Sequence, residues 1–362
     1  RRQRQMCIRD STHGGDVYRH QNVTDFSANC NPFGTPESIK QAVARAMEQV
    51  CHYPDVKCER LRDAISHYEG VPAEQIICGN GAADLIFALV LALKPKKALL
   101  PAPTFAEYEQ ALATVECGIQ RYVLEESRGF SVGREFLDDI TEDLDMVFLC
   151  NPNNPTGVLM EQAFLREVLL RCQECGCILM LDECFVDFVE HPEAHTMKPL
   201  LEQNNSLFLL KAFTKRYAMA GVRLGYALCG NRELLENMQM VTQPWNVSIL
   251  AQEAGIAALS EKEYVEHSMA VIHRERTYLL EGLGRLGYET FASSANYIFF
   301  KGPKDLQKSC LEKGILIRDC SNYYGLSKGY YRIAVRLREE NDKLLRVLGE
   351  IPAADSKYRQ IP

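Results

Sequence analysis

Apolar positions recur along the chain at two spacings, and the switch between them outlines its organisation. Ile39, Val43, Met47 and Val50 follow one another at steps of three and four, which predicts a helix. Thr35 is expected to cap it, with Pro36 at its first helical position. A turn at 52–55 then leads to a second amphipathic helix carrying Leu61, Ile65 and Tyr68. From residue 75 onward short apolar runs alternate with helical stretches. Strands are expected at 75–78, 98–100, 120–124, 146–150, 178–181 and 207–210, with helices at 82–93, from 104, near 134 and at 161–175. Strand and helix in alternation make a largely parallel sheet covered on both faces, and chemistry in such sheets gathers beyond the carboxyl ends of the strands. A helical stretch at 262–286 leads to a C-terminal α+β unit: strand 297–300, helix 305–313, strands 315–318 and 331–335, helix 339–348. We divide the chain into an arm (1–35), a large domain (36–260) and a small domain (261–362).

Composition narrows the function classes. The 362 residues carry a net charge of −7, so no global field draws in nucleic acid or an anionic membrane, and an anionic ligand needs locally placed cations. The longest apolar run, 85–93, is too short to span a bilayer. Fourteen cysteines in a chain of this length and without secretory features fit reduced thiols and a cytoplasmic protein. Cys172, Cys175 and Cys177 form a C-x-x-C-x-C run, but no second cysteine or histidine pair lies at a zinc-site spacing; we read small buried residues at a helix–strand joint and expect no metal.

The candidate chemistry falls at the expected strand ends. Gly79-Asn80-Gly81-Ala82-Ala83 opens a helix, where glycines permit a tight turn and free N–H groups favour an anion. Asn151 to Gly157 holds two prolines and three asparagines at a strand end. Asp182-Glu183 closes an apolar strand, where a carboxylate must be paired or functional. Thr214-Lys215 follows the run ending at Leu210, and a small-residue turn around Gly221 brings Arg223 onto a second apolar run. Alone, that stretch reads equally as a basic surface loop or as a desolvated, nucleophilic lysine. Arg318 and Arg332, at the ends of C-terminal strands, suit a ligand with two anionic groups or are solvated arginines.

Taken together, Asn151 to Gly157, Asp182-Glu183, Thr214-Lys215 and Gly221 to Gly225 resemble the fold-type I pyridoxal-phosphate enzymes. Over essentially the whole chain the resemblance is to their histidinol-phosphate aminotransferase branch. Within it, His13-Gly14-Gly15, Asp25 to Asn29 and Phe185 resemble the threonine-phosphate decarboxylases of cobamide (cobalamin) biosynthesis. The resemblance implies a seven-stranded, mostly parallel sheet in an aminotransferase-like large domain, with a smaller α+β domain. It implies pyridoxal 5'-phosphate bonded to Lys215, with Asp182 on the ring nitrogen, Asn154 on the ring oxygen and Tyr108 stacked on the ring. Gly81, Ala82, Ala83, Thr214 and Arg223 would hold the cofactor phosphate, and Tyr53 would reach the cofactor phosphate of the other subunit of a homodimer. His13, Gly14, Asn29, Asn154, Arg318 and Arg332 would hold a small phosphorylated amino acid. The implied reaction is decarboxylation of O-phospho-L-threonine, or O-phospho-L-serine, to the amino-alcohol phosphate; the alternative is a histidinol-phosphate-type transamination. Two positions depart from the branch. Ala212 stands where a hydroxyl is usual, and Phe185 stands where the aminotransferases carry tyrosine.

Overall fold

The computed structural model describes residues 14–20 and 22–351. The arm contributes β1 (Thr24–Asp25), and the central sheet is built from β2 (Ile76–Gly79), β3 (Lys97–Ala102), β4 (Gly118–Val123), β5 (Met146–Cys150), β6 (Ile178–Asp182), β7 (Leu207–Ala212) and β8 (Gly225–Cys229). The seven strands lie in the order β2-β8-β7-β6-β5-β3-β4. All neighbours are parallel except β8, which runs antiparallel to both β2 and β7. Six of these strands, all but the edge strand β4, are almost wholly buried, as strands covered on both faces must be. One face packs under Leu61, Ile65, Leu165 and Ala254, the other under Leu85, Leu89, Leu112 and Leu235.

The small domain follows the 24-residue helix Lys262–Arg285. Its antiparallel sheet has the order β12-β13-β10-β9, from β9 (Glu289–Thr290), β10 (Tyr297–Lys301), β12 (Arg318–Asp319) and β13 (Tyr330–Ala334). The expected strand 315–318 is divided: β11 (Ile315–Leu316) pairs with β1 instead, parallel, so the arm joins this layer. Phe26 of the arm, and Phe185 and Phe188 from the loop after β6, are buried in the small-domain core beside Ile298 and Ile333.

Several local expectations need correction. Thr35 does not cap the helix Glu37–Ala46; Pro36 stands at the cap and the Thr35 hydroxyl donates to the Ala218 carbonyl at 2.7 Å, because that carbonyl follows a helical turn too short to satisfy it. In the arm only Thr24–Asp25 is strand, and the buried Ser27, Asn29 and Asn31 that follow spend their polar groups on tertiary partners. Arg223 precedes β8 rather than lying on it, with φ at +61°. The helices Arg232–Val241 and Ile249–Ala258 were not read in the sequence. Cys172, Cys175 and Cys177 lie buried in the core at a helix–strand joint.

Candidate active site

Register explains why distant motifs meet. Cys150 pairs with Asp182 and Asp182 with Leu210, so the segments after β5, β6 and β7 leave the sheet side by side. Because β8 is antiparallel, its first residue, Gly225, stands at this same edge, opposite both Ala212 and Gly79. The turns carrying Asn154, Asp182, Lys215, Arg223 and Gly81 are thereby gathered along one rim.

The anion cradle is built at the start of the helix Ala82–Leu93. Gly81 caps it with φ at +84°, leaving the first-turn N–H groups of Ala82 and Ala83 to point outward. A Cβ on Gly81 would sit 2.3 Å from Arg223 Nη2, so the guanidinium lies directly over the cap. A Cβ on Gly225 would sit 2.6 Å from the Ala82 nitrogen; glycine is needed there for β8 to pass beneath the helix start. Arg223 Nη1 donates to the Ala220 carbonyl at 3.1 Å, which holds its position. Thr214 is buried in the neighbouring turn, and Asp84 fixes the cradle by accepting from the Asn80 N–H at 2.9 Å and Asn246 Nδ2 at 2.8 Å.

Asp182 and Glu183 point to opposite faces of the sheet, as strand alternation requires. Glu183 is structural. It accepts from the Thr196 hydroxyl at 2.6 Å and the Met197 N–H at 2.7 Å, and lies 3.5 Å from Lys211 Nζ. Asp182 accepts from the Cys184 N–H at 2.9 Å and from the Tyr108 hydroxyl at 2.6 Å. Burial pushes the Asp182 carboxyl above its ordinary range, although the bonds from Cys184 and Tyr108 pull the other way. A cation beside it would restore its charge. Tyr108, expected to stack on a ring, is thus fully buried with its hydroxyl on Asp182.

Of the asparagines after β5, two serve the loop. Asn151 bonds both backbone groups of Met160, and Asn153 bonds Thr104, Thr156 and the Pro103 carbonyl. Asn154 alone turns to the small domain, where its Oδ1 accepts from Arg332 Nη1. Its other end is a donor, the group a ring phenolate oxygen needs. Arg332 Nη2 donates to the Ser27 carbonyl at 3.0 Å, and Asn29, with its amide oxygen facing the guanidinium, accepts from Nη1 and Nε at 3.2 and 3.3 Å. The guanidinium stands 5.4 Å from the Tyr297 ring, whose hydroxyl donates to the Asn153 carbonyl at 2.8 Å. Phe185 meets that ring edge-on at 5.0 Å. Arg318 donates to Asn322 at 3.0 Å beside the Tyr323 ring. Gly14 packs on Ser27, where a Cβ would come 2.4 Å from the carbonyl oxygen. His13 lies outside the described residues. Tyr53 is 78% exposed and stacks on Trp245 at 4.6 Å.

The profile of the aminotransferase class I and II family matches residues 21–348. The chain belongs to this family. It is an enzyme whose cofactor is pyridoxal 5'-phosphate. Threonine-phosphate decarboxylase of Salmonella typhimurium is 36% identical over 358 residues, covering 96% of this chain and 98% of that protein. Histidinol-phosphate aminotransferase 2 of Archaeoglobus fulgidus is 33% identical over 333 residues, covering 91% and 93%. The structure of the histidinol-phosphate aminotransferase from Clostridium acetobutylicum superposes with a TM-score of 0.84 at 30% identity, covering 90% of this chain and 98% of that one. The residues fit the cofactor. A glycine-capped helix with an arginine above it suits the phosphate, a buried carboxyl pushed upward suits a ring-nitrogen cation, and Lys215 stands half-buried on the turn between them. Sequence reasoning missed Ser27 and Tyr297, which hold Arg332 from either side. A serine in an arm and a tyrosine in a strand give no signal of that in one dimension.

Proposed function

We propose that the enzyme decarboxylates O-phospho-L-threonine to (R)-1-amino-2-propanol phosphate, the amino-alcohol phosphate used in the cobamide nucleotide loop. One observation carries the substrate class. Arg332 is buried, and among the described residues no carboxylate pairs with it; its partners are two amide oxygens, a carbonyl and a ring face. A buried guanidinium without a counter-charge is costly unless a ligand supplies one. The substrate carboxylate is that ligand, and Arg318, on the paired strand, takes the phosphate. The 36% identity to a threonine-phosphate decarboxylase supports the same reading.

The division of labour follows from position. Gly81, Ala82, Ala83, Thr214 and Arg223 would hold the phosphate of pyridoxal phosphate and Lys215 would carry it; bound there, it would supply an electron sink for a bond broken at Cα. Arg332 and Asn29 would fix the carboxylate and so set which bond at Cα is presented for cleavage. Asp182 would hold a proton at the ring nitrogen, and the Lys215 amine would return a proton to Cα. Phe185 places a ring without a hydroxyl beside Tyr297, leaving fewer acid–base groups near Cα. The protein works as a cytosolic homodimer. Exposed Tyr53 and Trp245, near exposed Val50 and Val56, form the patch through which Tyr53 reaches the partner, and the cysteines among the described residues are free thiols.

A histidinol-phosphate-type transamination is the second reading, favoured by the 33% identity to such an enzyme. Incubation with O-phospho-L-threonine, with and without 2-oxoglutarate, separates them. Decarboxylation releases CO2 in either case; glutamate formed without CO2 would establish transamination.

A further inference from the structure

The short helix Phe213–Arg216 that carries Lys215 is a single turn, so its last carbonyl groups have no partners within it. The Ala218 N–H just beyond it reaches the Lys215 carbonyl at 3.3 Å, and the arm supplies the shorter partners. The Asn31 N–H donates to the Lys215 carbonyl at 2.9 Å, and Asn31 Nδ2 donates to the Arg216 carbonyl at 3.0 Å. Asn31 is itself set by its own turn: its Oδ1 accepts from the Phe33 N–H at 3.2 Å and its carbonyl from the Gly34 N–H at 3.3 Å. At 2% exposure it is sealed from water, and its fork of donors closes the lysine turn as a helix cap supplied from 185 residues away.

The same segment serves the substrate arginine. Ser27, Asn29 and Asn31 alternate along it, and all three are buried. Ser27 and Asn29 hold Arg332, while Asn31 holds Lys215 and Arg216. A second fastening holds the far side of the turn, where Arg216 Nη1 meets Asp187 Oδ2 at 3.1 Å.

We propose that Asn31 is a positioning residue for Lys215: by capping the lysine turn from the arm, it fixes the amine relative to the carboxylate held by Arg332. This rests on the decarboxylase reading and deepens it. An amine mis-set by a fraction of an ångström loses proton transfer to Cα before it loses substrate binding, because the hydrogen bonds of Asn31 go to the lysine turn and to its own turn rather than to Arg332.

The test compares the parent with Asn31→Ala and Thr35→Val. The second removes the other arm-to-turn hydrogen bond, the one onto Ala218. In the loaded enzyme, Asn31→Ala is expected to lower kcat roughly ten- to a hundredfold with KM for O-phospho-L-threonine nearly unchanged. The pH at which the visible cofactor band titrates is expected to move as well. In the cofactor-free protein the amides of residues 215–218 should exchange faster, while those of β5 and β6 stay protected. Thr35→Val should leave kcat within about twofold. A folded Asn31→Ala with parental kcat and parental band titration overturns the inference, as does an equal loss of kcat in Thr35→Val, which would signify general loosening of the turn. A parent protein with no Lys215-dependent band would overturn the underlying reading instead, and the inference with it.

Discussion

Arg318 and Arg332 are direct cross-strand partners in the antiparallel pair of β12 and β13, and both are buried, at 5% and 6% exposure. Like charges placed opposite one another in a sheet oppose folding, and burial sharpens the cost. A ligand anion at Arg332 relieves that cost, since no carboxylate among the described residues pairs with Arg332. Arg332→Lys should therefore raise KM for O-phospho-L-threonine by roughly ten- to a hundredfold, because one point charge replaces a two-pronged contact worth about 1.5–3 kcal/mol. Steady-state kinetics checks this. The rise in Tm that substrate gives the parent should be lost as well.

Ala212 ends β7 immediately before the lysine turn, with extended backbone at the cap position of that turn. Serine is well suited to such a position and would add a donor toward the cradle. Ala212→Ser is expected to tighten cofactor binding by about fivefold, close to 1 kcal/mol, as measured by equilibrium dialysis. Gly81→Ala should do the reverse by driving a methyl group into Arg223.

Behind the site, Glu69 accepts from the Tyr226 hydroxyl and Lys198 Nζ, with Lys211 at 3.8 Å. Burial pushes its carboxyl upward, but Lys211, Lys198 and the Tyr226 bond outweigh this and bring it from 4.5 to about 2. That displacement contributes about 3 kcal/mol of stability, fully present above pH 4.5 and lost as pH falls toward 2. Urea denaturation should show Glu69→Gln destabilised by about that amount at neutral pH, the gap from the parent narrowing below pH 4.5 and closing only as pH falls to about 2.

Phe185 lies edge-on to Tyr297 and has no hydroxyl to offer Cα. Phe185→Tyr should raise the share of turnover that yields glutamate from 2-oxoglutarate relative to CO2. An unchanged partition would mean that bond choice is set by the arginines alone.

The alternation of apolar runs disclosed the sheet, since strands buried on both faces read as continuous apolar stretches: 146–150 and 178–182 were legible almost to the residue. The motifs that meet at one rim of the sheet were legible where each combined a backbone constraint with chemistry, as in Gly81, Asp182 and Lys215. What lay hidden depends on register. The antiparallel turn of β8 brings Gly225 against Ala82, and β1 crossing to β11 brings Ser27 and Asn31 into the site. Neither leaves a periodic trace, because one strand has two residues and the other is set by its partners. Thr35 shows the converse error: local spacing suggested a cap, but a carbonyl 183 residues away took its hydroxyl.

The account stands on Lys215 as the residue that carries the cofactor. Borohydride reduction of the loaded enzyme followed by peptide mass mapping tests this directly. The account predicts a single reduced pyridoxyl group on the peptide containing Lys215, and none in Lys215→Ala. A label on another lysine, or no retained label from a coloured parent, would contradict it.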